Sequence, residues 1–269
     1  MKKFAGMILA CDMDGTLLDD NKEISRKNEQ AIRYFTEQGG LFSLATGRAP
    51  GAIRKYLPQL TLNAPYSLLN GSYILNTAHE PLHCAGMPME THELIANTLI
   101  KFSQIGCEIF IGQDILICQF SEVTKSHMNF LHLDYQMVDY HHLPDTDNWC
   151  KINFTGDPEI MRGVRAFTKP YSDRFDMASS ADTFWEITAP GVNKGYALRR
   201  IAKSCGIAPE HIYAVGDSLN DLAMIQTAHI GFAPNNADED VRSAADVCVS
   251  SNNQNAVADV IEYLETYQN

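Results

Sequence analysis

The chain has 269 residues, enough for one large or two moderate domains at roughly 150 residues per domain. Hydrophobic residues make up 45% of it, which supports a sizeable core, and no run approaches the roughly 18 uninterrupted apolar residues of a membrane-spanning helix. A formal net charge of -12 argues against nucleic acid or an anionic membrane as partner, so any anionic substrate needs a local cation.

Met1-Lys2-Lys3 opens like a secretory leader, but the apolar stretch covers only residues 4–11 and meets Asp12 with no small-residue cleavage site. The expectation is a cytoplasmic protein. Residues 4–11 read as a buried strand. Ser25 is placed to cap a helix whose Ala31, Ile32 and Phe35 share one face, with Gly39-Gly40 as its stop. A strand follows over 41–45, then Thr46-Gly47-Arg48, a short helix interrupted at Pro58, and a third strand over 66–69. Strands alternating with helices predict a parallel sheet covered on both faces.

The middle of the chain changes character. Leu94, Ile95, Leu99 and Phe102 form a helical stripe ended by Gly106, followed by a hairpin of residues 107–111 and 115–120. A helix over 158–167 and strands near 174–178 and 184–188 continue an antiparallel α+β layer. After residues 191–195 the α/β alternation resumes: helix 196–202, strand 212–215, helix 221–226, strand 245–249 and a closing helix over 257–263. The predicted fold class is α/β, a Rossmann-like doubly wound parallel-sheet core of residues 1–82 and 190–269 with an α+β module of residues 83–189 inserted in it. Seven scattered cysteines without a Cys-x-x-Cys spacing predict reduced core thiols rather than zinc or a disulfide framework. His127, His132 and the His141-His142 pair near Asp145 and Asp147 admit a second metal site or a solvated surface.

Chemistry concentrates in four short motifs at predicted strand ends, where open α/β sheets bind ligands. The first is Asp12-Met13-Asp14-Gly15-Thr16. Two like charges at about 4 Å repel by roughly 4 kcal/mol at an effective dielectric near 20, so a cation belongs beside them. Mg²⁺ with oxygen ligands suits the site, whereas an EF-hand fails because Ala10 and Asn21 would fill the end ligand positions. A plain surface turn is the alternative. Thr46-Gly47 offers a hydroxyl and backbone N–H groups to a phosphate, or is merely a turn. Lys194 begins a helix and is either an anion site or a solvated lysine. Gly216-Asp217-Ser218-Leu219-Asn220-Asp221 is either an oxygen-ligand loop or a helix cap.

In this joint order, the motifs resemble those of the haloacid dehalogenase superfamily, specifically the Cof-like subfamily with a large cap (subclass IIB), and the resemblance spans the whole chain. It implies a Mg²⁺-dependent phosphatase of small phosphorylated metabolites such as sugar phosphates, working through an aspartyl phosphate. By the same resemblance Asp12 is the nucleophile and Asp14 the proton donor and acceptor. Asp12, the Asp14 carbonyl and Asp217 would hold the metal. Met13, Thr46, Gly47, Lys194 and Asn220 would bind the phosphoryl group. Asp221 would orient Lys194 or metal waters, and Arg48 and Asn70 would stand on the substrate side; Arg48 could instead simply tie the cap, and Asn70-Gly71 could equally be a hairpin turn. Two rival classes are a phosphotransferase or mutase, which would retain the same core, and a metabolite-binding regulator without catalysis, which would be expected to have lost Asp12, Asp14 or Lys194, all three of which are present.

Overall fold

The apolar run before Asp12 forms β1 (Ile8–Cys11), buried along its whole length, in a computed structural model that describes residues 2–131 and 134–267. It leads to α1 (Arg26–Glu37), where the Ser25 hydroxyl accepts from the Asn28 N–H at 3.1 Å and Ile32 and Phe35 are buried beneath the helix. Then come β2 (Leu41–Leu44), α2 (Pro50–Ile53), β3 (Tyr66–Leu68), β4 (Tyr73–Leu75) and β5 (Pro81–Cys84). The middle contributes α3 (Thr91–Lys101), β6 (Gly106–Ile111), β7 (Asp114–Gln119), α4 (Glu122–Leu131), β8 (Gln136–Met137), β9 (Lys151–Thr155), α5 (Pro158–Thr168), β10 (Asp176–Ala181) and β11 (Phe184–Thr188). The last part supplies α6 (Lys194–Ser204), β12 (Ile212–Val215), α7 (Leu222–Thr227), β13 (Ile230–Pro234), α8 (Glu239–Ala244), β14 (Val247–Val249) and α9 (Ala256–Tyr267).

Two compact units result. One comprises the chain up to Gly47, Arg54–Leu82 and everything from Asn193 onward; the other comprises Arg48–Ile53 and His83–Val192.

The first unit is a five-stranded sheet in the order β14-β13-β12-β1-β2, every pair parallel. Ile8, Ala10, Ile212 and Ala214 pack on one face against Ala197, Leu198 and Ile201 of α6 and Met224 of α7. On the other face Phe232 meets Tyr263 of α9 edge-on at 5.3 Å. Helices on both faces make this a doubly wound Rossmann-like core. From β1 the chain moves outward to β2, then returns to β12 on the opposite side of β1. That reversal is the topological switch point, where ligands bind beyond the carboxyl ends of the strands. Cys11 pairs with Val215, so Asp12 and Gly216 leave the sheet at the same level.

Two details differ from the sequence expectation. Residues 66–68 are extended, but they join a separate three-stranded sheet with β4 and β5, and an isolated parallel bridge links Ser67 to Ala45, just past β2. The turn at Leu69–Gly71 folds the chain straight back into β4, so β3 pairs with its own hairpin partner. The second detail is β13, absent from the prediction. Its Gly231 and Pro234 weaken strand propensity, yet Gly231 is required there because a Cβ would collide with Ile225.

The inserted unit is a six-stranded sheet ordered β10-β11-β9-β6-β7-β8, antiparallel except for the β7–β8 pair. Sequence periodicity misses β9 and α4. In β9 the polar positions Lys151 and Asn153 are as buried as the apolar ones, held by Glu186 at 3.2 Å and Glu108 at 3.0 Å respectively. His127 also bonds Glu108, at 3.1 Å, and the exposed His142 bonds Asp139 at 3.0 Å. His132 lies outside the described residues. Among the described residues, these histidines join no group able to hold a metal, and no helix is long and apolar enough to cross a membrane. Not every cysteine is a core thiol: Cys11, Cys107 and Cys150 are buried, while Cys84, Cys118 and Cys205 are half-buried and Cys248 is exposed.

Candidate active site

Asp12 follows β1 and Asp217 follows β12, so adjacent parallel strands deliver both carboxylates to one end of the sheet. The Asp12 N–H donates to the Val215 carbonyl at 3.0 Å, extending the ladder one residue beyond the strands. Behind them, α6 begins at Lys194 after the Asn193 side chain caps it by accepting from the Tyr196 N–H at 2.9 Å. Lys194 is 1% exposed and Asp12 5% exposed, so neither a solvated lysine nor a surface Asp-x-Asp turn describes this chain.

The lysine ammonium is shared. Its Nζ donates to Asp12 Oδ1 at 2.5 Å and to Asp221 Oδ1 at 2.6 Å. The second Asp221 oxygen accepts the N–H groups of Asp217 and Ser218, both at 3.0 Å. Ser218 and Asp221 thereby form a capping box, so helix capping and site building are done by the same residues. Thr16 Oγ1 donates to Asp217 Oδ1 at 2.7 Å and Ser218 Oγ to Asp217 Oδ2 at 3.0 Å. These two hydroxyls escaped the sequence reading, although Thr16 belongs to the first motif. Gly15, at φ +78°, lies against the Asp217 carboxylate, where any Cβ would collide with it; Gly216 stands in the same relation to Asp221.

The electrostatics follow from burial. Burial pushes the Asp12 carboxyl well above the usual carboxylate range, Lys194 pulls it down, and Asp221 and Asp217 push it up again. Asp217 is raised by burial and by Asp221, against the hydrogen bonds from Thr16 and Ser218. Burial alone would lower Lys194, but Asp12 and Asp221 outweigh it and hold the ammonium above its ordinary value. Asp12, Asp217 and Asp221 bring carboxylate oxygens within 4.8 Å of one another, against one ammonium. That excess of buried negative charge, presented by hard oxygen donors, fits a divalent cation of the Mg²⁺ type. These three carboxylates are the side chains that could hold such an ion.

The remaining candidates fall into two places. Thr46 is buried after β2, its N–H on the Ser67 carbonyl at 3.1 Å and its carbonyl accepting from the Asn70 N–H at 3.1 Å. Asn70 has left-handed backbone (φ 57°) in the β3–β4 turn, and its Oδ1 accepts from Asn220 Nδ2 at 3.1 Å. A Cβ at Gly47 would crowd that same Asn70 oxygen, so Gly47, Asn70 and Asn220 converge. Asn70-Gly71 is thus both a hairpin turn and part of this cluster. Met13 is fully buried, and its carbonyl accepts from the Leu18 N–H at 2.8 Å. Asp14 stands apart from the buried acidic trio: its carboxylate is 40% exposed and pairs with Lys22 at 2.9 Å. Arg48 donates to the Ala52 carbonyl at 3.2 Å, within its own segment.

Known proteins are similar to this chain over nearly its whole length. The phosphatase YwpJ of Bacillus subtilis is 27% identical over 96% of this chain and 99% of its own length. The 5-amino-6-(5-phospho-D-ribitylamino)uracil phosphatase YcsE of the same organism is 28% identical over 95% of this chain and 94% of its own. A haloacid dehalogenase-like hydrolase from Bacteroides thetaiotaomicron superposes with a TM-score of 0.83 at 25% identity, covering 96% of this chain and 99% of that one. The haloacid dehalogenase-like hydrolase family matches residues 9–261. With its switch-point acids, its buried lysine and that match, the chain belongs to the haloacid dehalogenase-like hydrolases.

Proposed function

We propose that the chain is a Mg²⁺-dependent phosphatase of small phosphorylated metabolites, sugar phosphates or similar, that works through an aspartyl phosphate on Asp12. The enzyme class, phosphoric monoester hydrolase, rests on the family and on relatives that are phosphatases over nearly their full length. The observation that carries the mechanism is the shared ammonium of Lys194 between Asp12 and Asp221.

Lys194 holds the Asp12 carboxylate in one orientation and supplies positive charge for a phosphoryl oxygen in a net acidic protein. Asp12 attacks phosphorus, the ester P–O bond breaks, and Asp14 gives the leaving oxygen its proton. Asp14 then takes a proton from water, the water oxygen bonds to phosphorus, and the bond between phosphorus and the Asp12 oxygen breaks. Asp14 suits this exchange because it is partly open to solvent, unlike Asp12. Asp12, Asp217 and the Asp14 carbonyl would hold Mg²⁺, which would supply charge neutralisation at the phosphoryl oxygens. Thr46, the Gly47 and Met13 N–H groups and Asn220 complete the phosphoryl cradle, with Asn70 and Arg48 on the substrate side. Residues 83–189 act as the cap that selects the leaving group, on a catalytic core of residues 1–82 and 190–269. The seven free cysteines suit a cytoplasmic setting.

A panel of phosphorylated metabolites, assayed for phosphate release with Mg²⁺ and with chelator on wild type and Asp12→Asn, tests this. Release should vanish in both the chelator and the variant. Transfer to a sugar hydroxyl in place of water would instead mark a phosphotransferase.

A further inference from the structure

We propose that Cys84 and Cys150 are an oxidant-responsive thiol pair, a covalent modification site in the inserted unit. Their sulfurs lie 3.0 Å apart although 66 residues separate them in the chain. That is about 1 Å from the roughly 2.05 Å of a disulfide bond. The Asn148 carbonyl lies 3.4 Å from the first sulfur and 3.7 Å from the second, and the Gly112 N–H donates to Cys150 Sγ at 3.4 Å. The pair is therefore held in place from three segments of the chain.

The two thiols are unequal in the way sequential oxidation requires. Cys84 is half-buried and Cys150 fully buried, so an oxidant reaches Cys84 first. Either sulfur can be the donor in the contact between them; with Cys150 donating, the bond holds the Cys84 thiol below its ordinary value and favours its thiolate. That same bond, with burial, keeps Cys150 protonated. Cys84 is thus the attacking sulfur and Cys150 the resolving one.

The oxidant is a peroxide. The Cys84 thiolate attacks one peroxide oxygen; an S–O bond forms, the O–O bond breaks, and the departing hydroxide takes up a proton. Cys150 sulfur then attacks Cys84 sulfur; the S–S bond forms, the S–O bond breaks, and the released hydroxide leaves as water with the Cys150 proton. Two electrons pass from sulfur to peroxide, giving one disulfide and two waters per peroxide, and a dithiol reverses the step. Cys84 ends β5, two residues past Leu82, where the chain leaves the first compact unit, and Cys150 immediately precedes β9, a central strand of the inserted sheet. Oxidation would staple the chain's entry into that unit to its middle.

The competing thiols differ. Cys248 is exposed with no cysteine in hydrogen-bond contact, and Cys107, beside Cys118, is buried and kept protonated by that burial. Full-length protein treated with stoichiometric hydrogen peroxide, alkylated and mapped by peptide mass spectrometry decides the matter. We expect a Cys84–Cys150 crosslink, two hydrogens lighter, reversed by dithiothreitol and formed about tenfold faster than Cys248 is lost. Cys150→Ser should leave a sulfenic acid at Cys84 that dimedone captures, and Cys84→Ser should leave Cys150 unmodified. Alkylation of Cys84 and Cys150 as separate thiols after Cys248 has been consumed would overturn the proposal, as would prior crosslinking of Cys107 to Cys118.

Discussion

Lys194 Nζ lies 2.5 Å from Asp12 Oδ1, although 182 residues separate the two in the chain. The contact closes the first and last parts of the catalytic unit around one buried ammonium, and Asp221 anchors that ammonium from the other side. The fold of this unit and the proposed chemistry thus depend on the same ion cluster.

Replacing the lysine tests that dependence. Lys194→Met leaves Asp12 and Asp221 buried without their counter-charge, a situation that costs about 3–5 kcal/mol where it has been measured. Urea unfolding in chelator should show a loss of that order, and phosphate release should fall by about 100-fold or more. A variant as stable as wild type would mean that the cluster is solvated.

The pH dependence of the metal-free protein has a definite sign. Burial raises the carboxyls of Asp12 and Asp217, so the folded state binds protons at these groups more tightly than the unfolded state does. Their contribution to stability therefore increases as pH falls from neutrality toward the ordinary carboxylate range near about pH 4. In chelator, wild type should gain stability relative to Asp217→Asn as the pH is lowered from about 8 to about 5. The gain is about 1.4 kcal/mol for each pH unit over which the Asp217 carboxyl is protonated in the folded state alone. Mg²⁺ should flatten the difference, because the ion competes with the protons. A wild type that loses ground to the variant over that window would reverse the sign.

Gly15 carries a double constraint, a φ of +78° and a Cβ direction filled by the Asp217 carboxylate. Gly15→Ala should cost about 1–3 kcal/mol of stability and weaken Mg²⁺ binding, measured by calorimetry, because Asp217 must move. Unchanged affinity would remove Asp217 from the ion's donor set.

Much of this site is legible in sequence because each loop follows a short apolar strand, so residues 12–16, 46–48 and 216–221 announce themselves at strand ends. What is not legible has physical causes. Strand β9 hides because Lys151 and Asn153 are buried on ion-pair and hydrogen-bond partners from other strands, which periodicity cannot see. Strand β13 hides behind Gly231 and Pro234, whose fit is decided by Ile225 and the strand's end. Thr16 and Ser218 look like ordinary turn and cap hydroxyls until the fold brings Asp217 between them. For Asp221 the resemblance implies an orienting role toward Lys194 or metal waters; the contact with Lys194 is present, and the hold of Asp221 on its own loop comes only with the fold.

A covalent phosphoryl group on Asp12 is measured directly by acid-quenched mass mapping after mixing with a turned-over phosphomonoester and Mg²⁺. Asp14→Asn should accumulate the adduct, because the water step loses its proton acceptor. A hydroxylamine-labile phosphoryl mass on the peptide containing Asp12, present in wild type, enriched in Asp14→Asn and missing from Asp12→Asn, is the expected result. Continued turnover with no adduct in either, or an adduct on another residue, would contradict it.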